Sequence, residues 1–366
     1  MKILAHIGVL AFAVLVAACQ RESPAPAPAT EKPATKISFV TDWKAQAEHG
    51  GFYQALAEGL YAKRGLDVTI REGGPSVNVP QLLAAGAADF GMGSNSFIPL
   101  NMAREGVKVR AVMAVFQKDP QVLITHPRDD IHSIADMKGK PIMIGDASTA
   151  TFWLWLKAKY DFKDSQIRKY TFNLAPFLTD KNAIQEGYLS SEPYSIEKET
   201  GIKPLVFPLA DAGYPGYANM VLVPQKWIDQ NPDAVQAFVD ASIEGWLHYL
   251  YGDPSAGNAL IKKDNPEMTD DIIAQAIDKM KSYGIVMPAD APTLDPANGP
   301  RLVAVGEMSE ARWKEFFDTM SQEGVYPPNL VYQDAYTRHF IEDLFTDGKT
   351  VVHVRLQPQT PNAIAP

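Results

Sequence analysis

Polar and aromatic side chains follow the apolar runs of this chain at places where a small molecule could be bound. In the first third of the chain the candidate ligand-binding residues are Trp43, His49, Ser76, Ser94, Asn95, Ser96 and Gln117. An indole such as that of Trp43 offers a flat face for stacking, and hydroxyl and amide groups offer hydrogen bonds. These residue types predict non-covalent binding of a small ligand.

A second set of candidate ligand-binding residues lies further along the chain. It consists of Asp146, Ser148, Thr149, Trp153, Tyr188, Glu192, Tyr217 and Asn219. The carboxylates of Asp42, Asp146 and Glu192 would repel an anion, and the aromatic side chains favour a flat ligand. Trp153 and Trp155 are two positions apart on a predicted helix, so we expect Trp153 to face the ligand and Trp155 to join the core. Together these residues predict a neutral or cationic heteroaromatic ligand.

Several of these residues also have a structural interpretation. Trp43 could pack in a core, His49 could position the loop at a helix start, and residues 94–96 could cap a helix. Glu192 precedes Pro193 and could cap the helix that follows. The residue types alone leave both interpretations open.

Motifs for covalent and phosphate chemistry are absent from the sequence. There is no G-x-S-x-G elbow and no G-x-x-x-x-G-K-[ST] loop, and Gly91 and Gly93 are followed by Ser96 where a G-x-G-x-x-G motif requires glycine. The seven histidines are dispersed, and His126 and His132 do not have a compact metal-ligand spacing. We expect a protein that is not an enzyme and that uses no metal or cofactor.

Short apolar runs alternate with helix-period runs from residue 37 to residue 223, which predicts an α/β fold of βαβ units around mostly parallel sheets. The predicted strands cover residues 36–41, 66–70, 88–92, 107–116, 121–125, 140–145, 168–172, 205–208 and 219–223. The predicted helices between them cover residues 49–63, 77–85, 96–104, 133–138, 149–160 and 180–185, with a capping box formed by Ser133 and Asp136. A helical tail is predicted at residues 232–250, 270–281, 302–320 and 335–344.

The N-terminal segment predicts secretion and lipidation. Residues 1–18 begin with Lys2, continue as an apolar run and end on small residues, as a signal peptide does. Cys19 is the only cysteine, and residues 16–19 resemble a bacterial lipobox, so we expect Cys19 to be the acylated N-terminus. The alternative is an ordinary signal peptide with an incidental cysteine. Residues 19–36 then form a lipidated cysteine and a tether of alternating proline and alanine.

The length after the tether, about 330 residues, predicts two lobes. We place lobe 1 at residues 37–117, lobe 2 at residues 118–218, and the return to lobe 1 with the helical C-terminal tail at residues 219–366. The crossings between lobes are predicted near residues 117–120 and 217–218. A net charge of −9 without basic clusters argues against nucleic acid as a partner.

Several segments carry a family resemblance. They are Thr41-Asp42-Trp43, residues 48–61, residues 65–68, the "L..G..D.G" pattern of residues 82–91, residues 137–140 and Glu192-Pro193-Tyr194. This set resembles the NitT/TauT-type solute-binding proteins and, more narrowly, the branch related to the yeast thiamine-pyrimidine synthase. The resemblance covers roughly residues 37–250 and is most specific near its start.

The resemblance implies a two-lobed periplasmic binding protein fold of type II. It implies a monomer that is lipid-anchored in the periplasm and delivers a ligand to the permease of an ABC importer in the inner membrane. The ligands implied are a thiamine-pyrimidine precursor first and a flavin second. Sulfonate, taurine or nitrate, which other members of the family bind, is the alternative.

Two other functions stay open at this stage. The yeast-type synthase shares the opening of the chain, but Gly93 and Phe97 stand where that enzyme carries its reactive lysine and histidine, and its later cysteines are missing. The resemblance therefore implies the fold of that enzyme without its chemistry. A lipoprotein that senses a ligand without transporting it is the third possibility.

Overall fold

Two five-stranded sheets organise the protein. The computed structural model describes residues 33–171, 173–287 and 305–341, and the backbone of residues 301–302, 344–346 and 351–353. The strands of the two sheets are β1 (Thr35–Val40), β2 (Leu66–Arg71), β3 (Phe90–Asn95), β4 (Val109–Phe116), β5 (Gln121–Thr125), β6 (Ile142–Ile144), β7 (Ile167–Lys169), β8 (Ile184–Tyr188), β9 (Leu205–Pro208) and β10 (Ala218–Pro224). A small antiparallel sheet joins β11 (Arg301–Leu302), β12 (Leu344–Thr346) and β13 (Val351–His353).

The two large sheets have the same plan. The first has the order β2-β1-β3-β10-β4 and the second the order β7-β6-β8-β5-β9. In each sheet one strand, β10 or β5, runs antiparallel to its two neighbours, and the remaining pairs are parallel. Both sheets are therefore mixed, with four of the five strands in each running in one direction. The chain leaves the first sheet after β4 and returns to it as β10.

Helices flank both sheets and dominate the C-terminal part. They are α1 (Gly50–Ala57), α2 (Val79–Ala84), α3 (Phe97–Arg104), α4 (Phe152–Tyr160), α5 (Ala175–Thr179), α6 (Glu192–Thr200), α7 (Gln225–Gln230), α8 (Pro232–Tyr251), α9 (Ser255–Asp264), α10 (Asp270–Ser282) and α11 (Glu310–Gln322). Short 3-10 helices cover Ala47–His49, Ala62–Arg64, Ile134–Met137, Asp146–Ala150, Asp164–Gln166 and Tyr332–Ala335. The predicted helical tail is therefore present, and Pro232 begins α8 as expected of proline at a first helical position.

An aromatic cluster joins α1 and α8 to the first sheet. The ring of Phe39 lies 4.8 Å from Phe52 and 5.2 Å from Phe238, and Phe52 lies 5.9 Å from Trp246. Gly51 allows this approach, because a Cβ there would be 2.1 Å from the Trp246 ring. The N-terminal end of α1, which carries candidate site residues, is thus fixed by close packing.

Trp153 belongs to a hydrophobic core, which corrects the prediction that its side chain faces the ligand. Its side chain is 1% exposed, and its indole N–H donates to Asp164 at 2.9 Å. Trp155 is also 1% exposed and lies 5.3 Å from Tyr214, as expected for a core residue. Both tryptophans of α4 are therefore buried, and their spacing of two residues did not distinguish a core residue from a site residue.

Some element boundaries differ from the predictions for local reasons. The helix predicted at 49–63 ends at Ala57, because Gly59 adopts a left-handed φ of 67°. The helix predicted at 302–320 begins at Glu310, after Ser309 caps it by accepting a hydrogen bond from Arg312 N–H at 3.2 Å. The capping box of Ser133 and Asp136 is confirmed.

Two of the predicted helices are wrong. Residues 180–185 lead into strand β8, and residues 335–341 continue from a 3-10 helix without forming an α-helix.

Residues 1–32, which hold the predicted signal peptide, Cys19 and most of the tether, lie outside the described residues. Within the part of the chain that the structure describes, the helices fall short of the length and apolarity that crossing a membrane requires.

Candidate functional site

The loop after β1 and the short helix that follows it bring an aspartate and a histidine together. The Thr41 hydroxyl donates to the Trp43 carbonyl at 2.7 Å and accepts from Gly73 N–H at 3.1 Å, which fixes the loop. The Asp42 carboxylate lies 3.1 Å from His49 Nε2, and the His49 ring is 1% exposed. The Trp43 side chain is half-buried beside this pair in the chain. The carboxyl end of the first sheet therefore carries an oriented acid–imidazole pair.

Glu48, directly before His49, is the most enclosed acid of this group. Its carboxylate accepts a hydrogen bond from the Ser190 hydroxyl, and its backbone carbonyl accepts one from Asn219 Nδ2 at 2.8 Å. Asn219 has a left-handed φ of 46°, a conformation that asparagine tolerates better than most residues. Burial raises the pKa of the Glu48 carboxyl. Asn219, a predicted site residue, thus positions Glu48.

The turn after β8 carries the corresponding acid of the second sheet. The Glu192 carboxylate accepts the backbone N–H of Tyr188 at 2.7 Å and lies 3.5 Å from the Tyr170 hydroxyl. Burial raises the pKa of Glu192 to about 7. Near neutral pH this carboxyl can therefore act as a hydrogen-bond acceptor or, once protonated, as a donor.

Glu186 lies on β8 and faces the loop before α4. One carboxylate oxygen accepts the Gly145 N–H at 2.8 Å, and burial raises the pKa of Glu186 to about 7 although Ser148 hydrogen-bonds to it. Its other oxygen is buried and has no hydrogen-bond partner among the described residues. Ser148, a predicted site residue, lies beside a buried carboxyl that has spare hydrogen-bonding capacity.

Tyr188 lies where acids from both sheets meet. Burial raises the pKa of its hydroxyl well above the usual range, and the carboxyls of Asp119, Asp42 and Glu48 raise it further. The phenol therefore stays protonated and available as a donor. Tyr188 is half-buried at the end of β8 and packs against the hydrophobic core of the first sheet, so it lies where the two sheets meet.

The charge balance of this region is acidic. Asp119 is 3% exposed, and burial raises its pKa to about 7 although Arg312 is a nearby cation. Among the described residues, no lysine or arginine forms an ion pair with Glu48, Glu186 or Glu192. An unpaired buried carboxylate is costly, so these groups favour a partner that donates hydrogen bonds or carries positive charge.

Three predicted site residues hold the crossing segments in place. The Ser96 hydroxyl accepts the Tyr217 N–H at 2.9 Å, and the Tyr217 hydroxyl accepts the Ser309 N–H at 3.0 Å. Gln117 Nε2 donates to the carbonyls of Ala114 at 2.8 Å and Glu307 at 2.9 Å. These polar groups are satisfied within the chain, so they position the site.

The remaining predicted residues fall into two groups. The Asn95 side chain accepts the Phe97 N–H at 3.1 Å at the start of α3, which is the capping role, and Ser94 is half-buried next to it. Ser76, however, is exposed, and Asp146 is exposed and paired with Lys169 at 3.0 Å. Thr149 donates to the Asp146 carbonyl within the same 3-10 helix. The structure thus does not bring Ser76 or the Asp146 carboxylate to the group of buried acids.

Four residues of the site were not predicted from the sequence. They are the acids Glu48, Asp119 and Glu186 together with Tyr170. Glu186 gave no clear signal, because its neighbours Gln185 and Gly187 are not apolar and no strand was predicted there. Glu48 had none, because its partner Ser190 is 142 positions away along the chain.

Two α/β lobes whose strand ends converge on buried polar groups define a two-lobed periplasmic binding protein fold of type II. The family model described as "NMT1/THI5 like" matches residues 46–256, and the chain belongs to this family. The resemblance stated from the sequence is confirmed.

Curated relatives and a solved structure agree with this assignment. The formylaminopyrimidine-binding protein of Halalkalibacterium halodurans is 22% identical, with 92% of this chain and 99% of that protein covered. The riboflavin-binding protein RibY of Chloroflexus aurantiacus is 24% identical, covering 65% of this chain and 72% of that one. A fission-yeast protein, 4-amino-5-hydroxymethyl-2-methylpyrimidine phosphate synthase, is 30% identical over 29% of this chain and 31% of its own. The structure of the aliphatic sulphonate binding protein SsuA of Escherichia coli superposes with a TM-score of 0.58 at 15% identity, covering 92% and 97% of the two chains.

Proposed function

We propose that this protein binds a neutral or cationic heteroaromatic molecule between its two lobes. The observation that carries the proposal is a group of three carboxyls, the buried Glu48 and Glu186 and the half-buried Glu192, that form no ion pair with a lysine or arginine among the described residues. A sulfonate or nitrate ion placed against them would be repelled, and its hydrogen-bond acceptors would meet further acceptors. A ring with amino substituents can supply a donor to the buried Glu186 oxygen that has no hydrogen-bond partner among the described residues.

An aminopyrimidine suits this set of groups chemically. Its exocyclic amino group donates hydrogen bonds and its ring nitrogens accept them, so it needs an acceptor and a donor side by side. Glu186 and Glu192, with pKa values of about 7, can each supply either function near neutral pH. Trp43 offers a half-buried ring for stacking. The relatives named for binding a formylaminopyrimidine and riboflavin support a heteroaromatic ligand.

The same reasoning extends to the role of the protein. We propose lobes at residues 37–117 and 118–218, with residues 219–366 returning to the first lobe, and closure of the lobes on the ligand. The protein then acts as the binding component of an ABC importer, monomeric and without catalysis or a cofactor. Acylation of Cys19 holds it at a membrane facing the periplasm. A ligand-binding component of an ABC-type import system from Staphylococcus aureus shares the fold, which supports the transport role.

Calorimetric titration tests the ligand class. The panel contains 4-amino-5-hydroxymethyl-2-methylpyrimidine, a formylaminopyrimidine, riboflavin, taurine and nitrate. We expect heat of binding from at least one heteroaromatic compound and none from taurine or nitrate. Binding of either anion in preference to the heterocycles would overturn the proposal.

Small-angle scattering tests closure. With the best ligand of that panel at saturation, we expect a smaller radius of gyration than without it. An unchanged radius would argue for a rigid molecule and against transport.

A further inference from the structure

Ser190 is held on two sides by distant parts of the chain. Its hydroxyl donates to the Glu48 carboxylate, and its backbone carbonyl accepts a hydrogen bond from Gln275 Nε2 at 2.5 Å. Ser190 is 1% exposed and Glu48 is 3% exposed, so water is excluded from the Glu48 contact. Glu48 lies next to α1 beside the first sheet, Gln275 lies on α10 of the tail, and Ser190 follows β8 of the second sheet. One serine therefore links three parts of the molecule.

The position of Ser190 in its turn gives this link a consequence for the site. Tyr188 precedes it by two residues and Glu192 follows it by two. The Glu192 carboxylate accepts the Tyr188 N–H at 2.7 Å, and Ser191 N–H donates to the Tyr188 carbonyl at 2.9 Å. The turn is thus internally bonded, and whatever holds Ser190 also holds Tyr188 and Glu192.

A second set of contacts, nearer the surface, also joins the region after β8 to α10 of the tail. On α6 the Tyr194 hydroxyl and the Lys198 amine donate to one oxygen of Asp271 on α10, at 2.7 and 2.6 Å. Lys198 and Asp271 are exposed and Tyr194 is half-buried, and exposed ion pairs contribute little. The contact of Ser190 with Glu48 is shielded from water, where a hydrogen bond to an acid is stronger. The inner link therefore dominates.

We propose that Glu48 and Gln275 are positioning residues that act through Ser190 to hold the turn of residues 188–192 against the first lobe and so slow the release of the ligand. This inference rests on the proposed function, because it assumes that the site between the lobes holds a ligand. The link is present without a ligand and is reinforced when the lobes close on one, so it affects dissociation more than encounter.

Stopped-flow binding of 4-amino-5-hydroxymethyl-2-methylpyrimidine to the full-length chain in detergent tests the proposal. The variants are Ser190→Ala, Glu48→Ala and Glu48→Gln, with Ser165→Ala, at an exposed serine, as the matched control. We expect Ser190→Ala and Glu48→Ala to dissociate roughly tenfold faster or more, because each change leaves a buried polar group without its hydrogen-bond partner, with association changed less than about twofold. Glu48→Gln, which keeps an oxygen acceptor, should fall between wild type and Glu48→Ala.

The double variant Glu48→Ala/Ser190→Ala separates a shared link from two unrelated defects. Because both single changes remove the same bond, the double variant should dissociate no more than about twofold faster than the worse single variant. Fully additive losses, or dissociation rates equal to those of Ser165→Ala, would overturn the proposal.

Hydrogen exchange supplies a test that needs no ligand. The amides of residues 188–192 should exchange at least about fivefold faster in Ser190→Ala than in wild type or Ser165→Ala, because the turn loses an anchor. Unchanged protection would refute the link even if the pyrimidine binds. If protection changes as expected and the wild type ignores every heterocycle of the panel, the proposed ligand class fails while the link stands.

Discussion

The carboxylate of Glu192 accepts the backbone N–H of Tyr188, 2.7 Å away and four residues earlier in the chain. This bond makes Glu192 part of the turn in which it lies. The side chain also approaches the Tyr170 hydroxyl, at 3.5 Å. The structural role and the proposed ligand role of Glu192 can therefore coexist, and measurements must separate them.

Substitutions at the two proposed contacts should differ in size. Glu192→Gln should weaken aminopyrimidine binding by about tenfold to a hundredfold, because a charge-assisted hydrogen bond contributes roughly 1.5–3 kcal/mol. Trp43→Phe should weaken it by less than about tenfold, because stacking contributes about 0.5–1.5 kcal/mol beyond burial and phenylalanine keeps part of it. Calorimetry of both variants beside wild type measures the difference. Unchanged affinity of Glu192→Gln would leave this residue as a helix cap alone.

The buried Glu186 should make stability depend on pH. Burial raises its pKa to about 7 from an ordinary value of 4.5, so between these values the folded protein holds a proton that the unfolded chain has released. The stabilisation from this group is complete below about pH 4.5 and is lost as the pH rises through about 7. From about pH 5 to about pH 8, wild type should lose about 1–3 kcal/mol of unfolding free energy relative to Glu186→Gln.

Urea unfolding at the two pH values measures this effect. Glu199→Gln, at an exposed position of α6, is the matched control and should follow the wild-type dependence. A Glu186→Gln variant that also follows wild type would show that Glu186 is ionised in the folded protein at all these pH values.

The contact of α1 with α8 should tolerate no added methyl group at Gly245. A Cβ there would lie 2.2 Å from the carbonyl oxygen of Gly51, which is backbone and cannot turn aside. Gly245→Ala should lower the unfolding free energy by about 1–3 kcal/mol or more. Asp233→Ala, exposed on the same helix, should stay within about 0.5 kcal/mol. Equal stability of the two variants in urea would contradict this close packing.

Lipidation of Cys19 can be tested in the expressing cell, although the residue lies outside the described part of the chain. Cys19→Ala should yield an unprocessed or soluble form, because the acyl chains that anchor the protein attach to this sulfur. Partitioning between detergent and aqueous phases measures the change. If the variant stays in the detergent phase to the same extent as wild type, the anchor is elsewhere.

The sequence predicted the strands well where most of their residues are apolar, as in β4 and β5. It failed at β8, where Gln185 and Glu186 interrupt the apolar pattern and led to a helix being predicted at residues 180–185. Both side chains are fully buried, 0% and 2% exposed. The apolar pattern expected of a buried strand is broken here by two buried polar side chains, and such exceptions are common at functional sites.

The candidate site was only partly predictable for a similar reason. Strand ends can be read from the chain, so Asp42, Trp43 and Glu192 could be proposed from the sequence. Contacts between distant segments cannot be read in this way, and the partnership of Glu48 with Ser190 depends on the meeting of two sheets. Residues such as Ser96, polar and next to a strand end, proved to bond to the backbone instead.

The place of β10 in the first sheet has a consequence for how this protein is made. β10 lies between β3 and β4, yet all five strands of the second sheet come before it in the chain. During synthesis from the N-terminus, the second sheet has all its strands once residue 208 has emerged. The first sheet lacks strand β10 until residue 224 has emerged. The later lobe in sequence can therefore complete its sheet first, and the earlier one exposes unpaired strand edges in the meantime.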